Sequence, residues 1–146
     1  MNADSLPNLL GTWRLVSFEA HAPSGETRYP LGEHVVGQLS YDAGGNMSAH
    51  VMRVDRPNFA SNDSGLGTDA EVRAAFEGHM SYFGTYTLDP SAHTVTHHVR
   101  GSSYPNWVGH EQVRYYRIDG PYLVLSTPPI QDRGEPLEFV LRWERT

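Results

Sequence analysis

Among the side chains able to do chemistry, His97 has the most telling surroundings, in the run Thr94-Val95-Thr96-His97-His98-Val99-Arg100. Val and Thr recur there at alternating positions, which suits a β-strand and not a helix. Strand side chains alternate in direction, so Val95, His97 and Val99 share one face while Thr94, Thr96, His98 and Arg100 share the other. If the apolar face points inward, His97 is an imidazole on the wall of an apolar interior. It could hydrogen-bond a ligand there or, with a pKa placed near working pH, act as an acid or base. The competing reading is a neutral buried His bonded to a backbone or hydroxyl partner and serving only structure. Arg114 is the second candidate: inside a cavity it could pair with a carboxylate or enolate, outside it is a solvated charge. Glu19 and Gln112 are the other polar strand residues to place. Parity favours neither side at Gln112, Arg114 and Tyr116, because Val113 and Tyr115 oppose them with similar claims to the interior.

Eight His residues raise the question of a metal. His93 and His97 share a face but lie about 13 Å apart at ~3.3 Å per strand residue, too far to share an ion, and His97 and His98 diverge. A site would have to gather His50, His79, His97 or His110 from separate elements, so neither a metal site nor a cofactor is expected. Ser48 and His50 share a face without a third partner, and no Gly-x-Ser-x-Gly elbow occurs, which argues against a hydrolase. Tyr82, Phe83, Tyr86, Trp107, Tyr115, Tyr116 and Trp143 supply aromatic area. Singly they read as packing; together they suit an aromatic or polyene ligand with hydroxyls to orient it.

The chain of 146 residues is expected to form one domain, residues 1–146, with a real core. The absence of Cys removes disulfides, thiolate nucleophiles, iron–sulfur clusters and Cys-type zinc sites. Lys is absent too, so all 11 basic residues are Arg, and a lysine Schiff base or Walker-type loop is impossible. A formal charge of −6 without an Arg-rich run argues against nucleic acid and anionic membranes as partners. Met1 to Pro7 has no basic start or apolar core of signal-peptide length, and no later stretch approaches a membrane span, so a soluble cytoplasmic protein is expected.

The elements that must position these residues are mostly strands. Gly11–His21 alternates imperfectly, with Val16 and Phe18 opposite Trp13 and Leu15, as a barrel strand packed on both faces would. Val35–Tyr41 and Met47–Val54 follow around the Asp42–Asn46 turn. The 55–68 segment is rich in Pro, Asn, Ser and Gly and reads as a loop. Thr68-Asp69-Ala70-Glu71 has the capping-box form and starts a short helix whose apolar stripe, Val72, Ala75, Phe76 and Met80, can pack on a sheet, with Gly78 near its end. Strands resume at Tyr82–Leu88, His93–Arg100, Gly109–Ile118, Tyr122–Ser126 and Leu137–Arg145. Asp119-Gly120 is a hairpin signal, and 127–136 reads as loop. The fold class is therefore all-β: an eight-stranded antiparallel up-and-down β-barrel with one short helix between strands 3 and 4.

The chain resembles the lipocalin-like domains of the calycin superfamily, the small bacterial and fungal type in particular. The resemblance is carried by Gly11-Thr12-Trp13, Gly37-Gln38-Leu39-Ser40-Tyr41, Gly45-Asn46-Met47-Ser48-Ala49, Gly84-Thr85-Tyr86, His97-His98-Val99, Pro105-Asn106-Trp107-Val108-Gly109 and Arg142-Trp143-Glu144-Arg145, in order along the chain. It implies a barrel whose cavity holds a small hydrophobic molecule, with Trp13 closing the floor under Arg142 or Arg145. Some similar barrels catalyse cyclisation or isomerisation.

The leading expectation is a binder of a small, largely apolar molecule, with the 55–68 loop and the helix near the mouth. The residues expected to contact the ligand are Glu19, His50, Tyr82, Tyr86, His97, Trp107, Gln112, Arg114 and Tyr116. The alternative is a cyclase or isomerase in which His97 or Arg114 stabilises developing charge. A third reading is an oligomeric structural or interaction protein with a filled barrel, and a homodimer stays open in every case.

Overall fold

A computed structural model describes residues 8–146, and the expectation drawn from Met1 to Pro7 lies outside the described residues. Eight antiparallel strands close into a barrel: β1 (Gly11–His21), β3 (Val35–Tyr41), β4 (Asn46–Arg53), β5 (His79–Asp89), β6 (Thr94–Ser102), β7 (Glu111–Asp119), β8 (Tyr122–Ser126) and β10 (Glu135–Arg145). Each barrel strand pairs with its neighbours in sequence order, and β1 closes the ring by pairing with both β3 and β10. The helix α1 (Asp69–Glu77) lies between the third and fourth barrel strands.

Two short strands add to the expected eight. β2 (Thr27–Arg28) pairs with the end of β1, and β9 (Ile130–Asp132) pairs with the start of β10. The 127–136 segment is therefore not all loop: Arg133 and Gly134, at φ 51° and 80°, turn it into a hairpin. The three-residue strand is too short to show an alternation, which is why the sequence reads as loop there. At the β7–β8 hairpin Asp119 still pairs with Tyr122, so the two-residue turn is Gly120-Pro121, one position beyond the Asp119-Gly120 signal.

The core follows the alternation. Leu39 and Tyr41, Met47, Ala49 and Val51, Val95, His97 and Val99, and Leu123 and Leu125 all point inward and are buried. β1 needs one more device. Its register with β10 slips between Leu15 and Ser17, so Val16 is the extra residue of a β-bulge. Trp13 and Leu15 point inward before the bulge, Phe18 and Ala20 after it, which accounts for the mixed parity of the sequence.

The floor is closed by residues 8–10. The Trp13 indole N–H donates to the Leu9 carbonyl at 3.0 Å, and Leu9 is buried. The Arg145 guanidinium lies 4.1 Å over the Trp13 ring and donates to the carbonyls of Asn8 and Leu10. Arg142 instead covers Tyr122. At the other end α1 is held differently from the sequence expectation. Its capping box forms, with the Thr68 side chain accepting from the Glu71 amide and Glu71 accepting from the Thr68 and Ala60 amides. No helix residue is buried, however, and Val72 and Phe76 are about half exposed. Of the expected stripe, Met80 lies past the helix in β5 and packs on the core, while Phe76 lines the cavity at the barrel's open end.

Gly84 marks where two backbones nearly touch, beside a register slip between β5 and β6. A Cβ there would strike the His98 carbonyl and lie 3.1 Å from the Arg100 amide. Gly84→Ala is therefore expected to destabilise the fold by about 1–3 kcal/mol, as overpacking does. Urea unfolding of wild type and variant checks this, and matching midpoints would show that the bulge absorbs a methyl group.

Candidate functional site

Above the floor the barrel encloses a cavity of about 450 Å³ that opens beside α1. That is the size of a small-molecule site. Inward alternation builds its wall from Leu39, Ala49, Val51, Leu125, Leu141 and Trp143, and the β1 bulge adds Phe18. Phe76 and Glu77 of α1, His79, and residues 130–133 of the short hairpin form the rim. An exposed bidentate pair between Arg28 and Glu135, at 2.6 and 3.1 Å, ties β2 to the start of β10.

One side of this apolar space is polar. Tyr82, His97 and Arg114 come from the adjacent strands β5, β6 and β7, and all three line the cavity. Trp107 joins them from a one-turn 3₁₀ helix, Pro105–Trp107, packing edge-on to Tyr82 at 5.4 Å. His97 is only 1% exposed. Its Nε2 is 2.6 Å from the Tyr41 hydroxyl and its Nδ1 2.7 Å from the Tyr82 hydroxyl. Burial, helped by the Arg114 charge, brings the imidazole pKa down to about 3. Burial likewise pushes both tyrosine hydroxyls up, Tyr41 most strongly. At neutral pH the three groups form a neutral hydrogen-bonded chain. The imidazole is held in its neutral form because, among the described residues, no carboxylate lies against it to offset its desolvation.

Arg114 is buried as well, which resolves the β7 parity: Arg114 and Tyr116 face in, Val113 and Tyr115 face out. Its guanidinium donates to the Val113 carbonyl at 3.0 Å and lies 5.7 Å from the centre of the Trp107 ring. Every ion pair among the described residues lies elsewhere.

Of the nine residues singled out from sequence, Tyr82, His97, Trp107 and Arg114 are brought together on the cavity wall. The other five are not. The β1 bulge turns Glu19 to the outer face, between the inward Phe18 and Ala20. His50 is exposed because its neighbours Ala49 and Val51 take the inward positions. Tyr86 packs on Tyr41 at 4.7 Å, near the floor, and donates to the Asp42 carbonyl. Tyr116 packs with its ring tilted against His93 at 5.9 Å, also toward the closed end. Gln112 pairs with His97 in register without lining the cavity. Sequence reasoning passed over Tyr41, the second partner of His97, although the Leu39–Tyr41 alternation places it inward. Among the described residues no three His, Asp or Glu side chains gather as a metal site, and no helix is long and apolar enough to cross a membrane.

Comparison with known proteins adds two findings. Residues 10–146 match the model of the lipocalin-like domain family. The chain is also 37% identical over 106 residues to the 4'-hydroxy-3'-methoxypropiophenone carrier protein of Aspergillus oryzae, an alignment covering 68% of this chain and 96% of that protein. No solved structure matches.

The lowered His97 pKa has a stability consequence. Between the unfolded value of 6.5 and the folded value of about 3, the unfolded chain binds a proton that the folded chain does not. The contribution is therefore complete above pH 6.5 and lost as pH falls toward 3, at about 1.4 kcal/mol per unit. In urea unfolding the wild type is expected to lose about 2 kcal/mol from this group between pH 7 and pH 5. His97→Gln, whose amide can serve both hydroxyls without titrating, should show only the remaining background. Equal pH dependence in the two proteins would contradict a neutral buried imidazole.

Proposed function

We propose that this chain, which belongs to the lipocalin-like domain family, binds and carries a small, largely apolar aromatic molecule in its barrel. The observation that carries the reading is the cavity of about 450 Å³, apolar on most of its wall and polar at Tyr82 and Arg114. Such a space holds a flat ring by burial and orients it by a few hydrogen bonds. The relative's name points the same way, since 4'-hydroxy-3'-methoxypropiophenone is a single aromatic ring bearing a ketone, a methoxy group and a phenolic hydroxyl. The chain has no Cys, which suits a cytoplasmic setting.

An acid/base enzyme on the same frame would need a group that exchanges protons near neutral pH. His97, bonded at both ring nitrogens and with a pKa of about 3, does not supply one. The carrier reading is therefore favoured over a cyclase or isomerase that uses His97 as its acid or base, and one in which Arg114 stabilises developing charge stays the second reading.

Calorimetric titration with 4'-hydroxy-3'-methoxypropiophenone tests it directly. Saturable binding near one molecule per chain is expected. Ala49→Phe, which projects a ring into the cavity from β4, should weaken binding at least about tenfold without lowering the unfolding midpoint, because it fills space and does not overpack. No saturable binding by the wild type, or unchanged binding by the filled variant, would count against the cavity as the site.

A further inference from the structure

We propose that Arg114 and the Tyr82 hydroxyl form a two-donor subsite for an anionic oxygen, which narrows the ligand class to flat apolar molecules carrying a carboxylate, phenolate or enolate. The proposal rests on the small-molecule reading above and deepens it.

The first argument is an accounting of protons along the buried chain. A neutral imidazole has one donor nitrogen and one acceptor nitrogen. Tyr41 is 2% exposed, does not line the cavity, and has His97 as its hydroxyl's hydrogen-bond partner among the described residues. If Nε2 carried the hydrogen, the Tyr41 O–H would be buried with no acceptor, and leaving such a donor unmade is costly. The favoured arrangement has the Tyr41 hydroxyl donating to Nε2, and Nδ1–H donating to the Tyr82 oxygen at 2.7 Å. Tyr82 lines the cavity, so its own hydrogen is the one left for a ligand. His97 thus acts as a positioning residue, setting which way Tyr82 donates.

The second argument is charge. Arg114 is 7% exposed and its guanidinium is held by one carbonyl, the face of an indole and a polar contact with the Tyr82 hydroxyl, with no carboxylate within 4 Å among the described residues. A buried cation without a counter-charge is unfavourable unless something pairs with it. The acidic side chains at the cavity, Glu77 and Asp132, belong to the rim, and Glu77 is exposed and pairs with Arg73. The guanidinium also sits close enough to Tyr82 to pull its raised pKa part of the way back. An oxygen bearing negative charge would accept from both groups and neutralise the cation, with its rings against the apolar wall.

The test uses two fluorescent probes on the intact protein: 8-anilinonaphthalene-1-sulfonate, whose sulfonate oxygens stand in for the oxyanion, and N-phenyl-1-naphthylamine, the same aryl skeleton without the charge. Wild type should bind the sulfonate at least about tenfold more tightly, the scale of a hydrogen bond to a charged group. Arg114→Met, with Arg114→Gln as a second variant, should bring the two probes to similar affinity while the neutral probe changes little. Tyr82→Phe should remove part of the preference. His97→Phe should match Tyr82→Phe, and His97→Gln, which can accept from Tyr41 and donate to Tyr82, should restore it. Arg117→Gln, on the outer face of the same strand, should have no effect, and Arg133→Gln at the exposed rim tests whether the preference arises there instead. Equal binding of both probes by wild type, or loss of the preference through Arg133 alone, would overturn the subsite and leave the cavity reading standing. Failure of the wild type to bind either probe would overturn both.

Discussion

Closure of the barrel is the constraint from which the rest of this structure follows. The β1–β10 ladder runs from Trp13 opposite Arg145 to His21 opposite Glu138, and it leaves no long strand edge unpaired around the ring. Without it the inward faces of eight strands would be one face of an open sheet, and no interior would exist for His97 or Arg114 to enter. The Val16 bulge belongs to the same constraint. It supplies the local bend and twist by which a long strand can reach both neighbours, and it turns Phe18 inward as a result.

A closed barrel creates a desolvated interior, and the polar groups inside must be accounted for one by one. Tyr41, His97 and Tyr82 solve this among themselves through two short hydrogen bonds, staying neutral because burial opposes every charged form. Trp143 is the exception among the described side chains: its buried indole N–H has no partner among the described residues. Arg114 is the larger expense, a cation held by a carbonyl and an aromatic face. Buried polar residues that the fold does not need for its own packing are the natural places to look for ligand recognition.

The two ends of the barrel are built to different standards. The floor is closely packed, with Leu9 and Trp13 almost fully buried and Arg145 strapped across Trp13. The mouth is made of a nine-residue helix with no buried residue, a short hairpin and exposed ion pairs that contribute little to stability. Local opening costs least where few apolar contacts would be lost, so the end beside α1 opens more readily than the floor.

The sequence by itself determined the architecture and the direction of most side chains. Alternation in the 94–100 run put Val95, His97 and Val99 on one face; Thr68 and Glu71 set the helix start; turn residues set the strand order. These are local matters of backbone preference and period-two geometry, which a short window contains. The site was only partly legible for the same reason. Tyr82, His97, Trp107 and Arg114 could be named as chemistry-bearing residues, but alternation left undecided the parity of the first strand, and so the side Glu19 takes, because a single bulged residue shifts the β1 register, and it left the Arg114 parity undecided too. That Tyr41 and Tyr82 meet the two nitrogens of one imidazole, and that Arg114 lies buried without a carboxylate beside it among the described residues, was decided by tertiary structure alone. Those relations join strands far apart in the chain, and they exist only because barrel closure brings β3, β5, β6 and β7 around one interior.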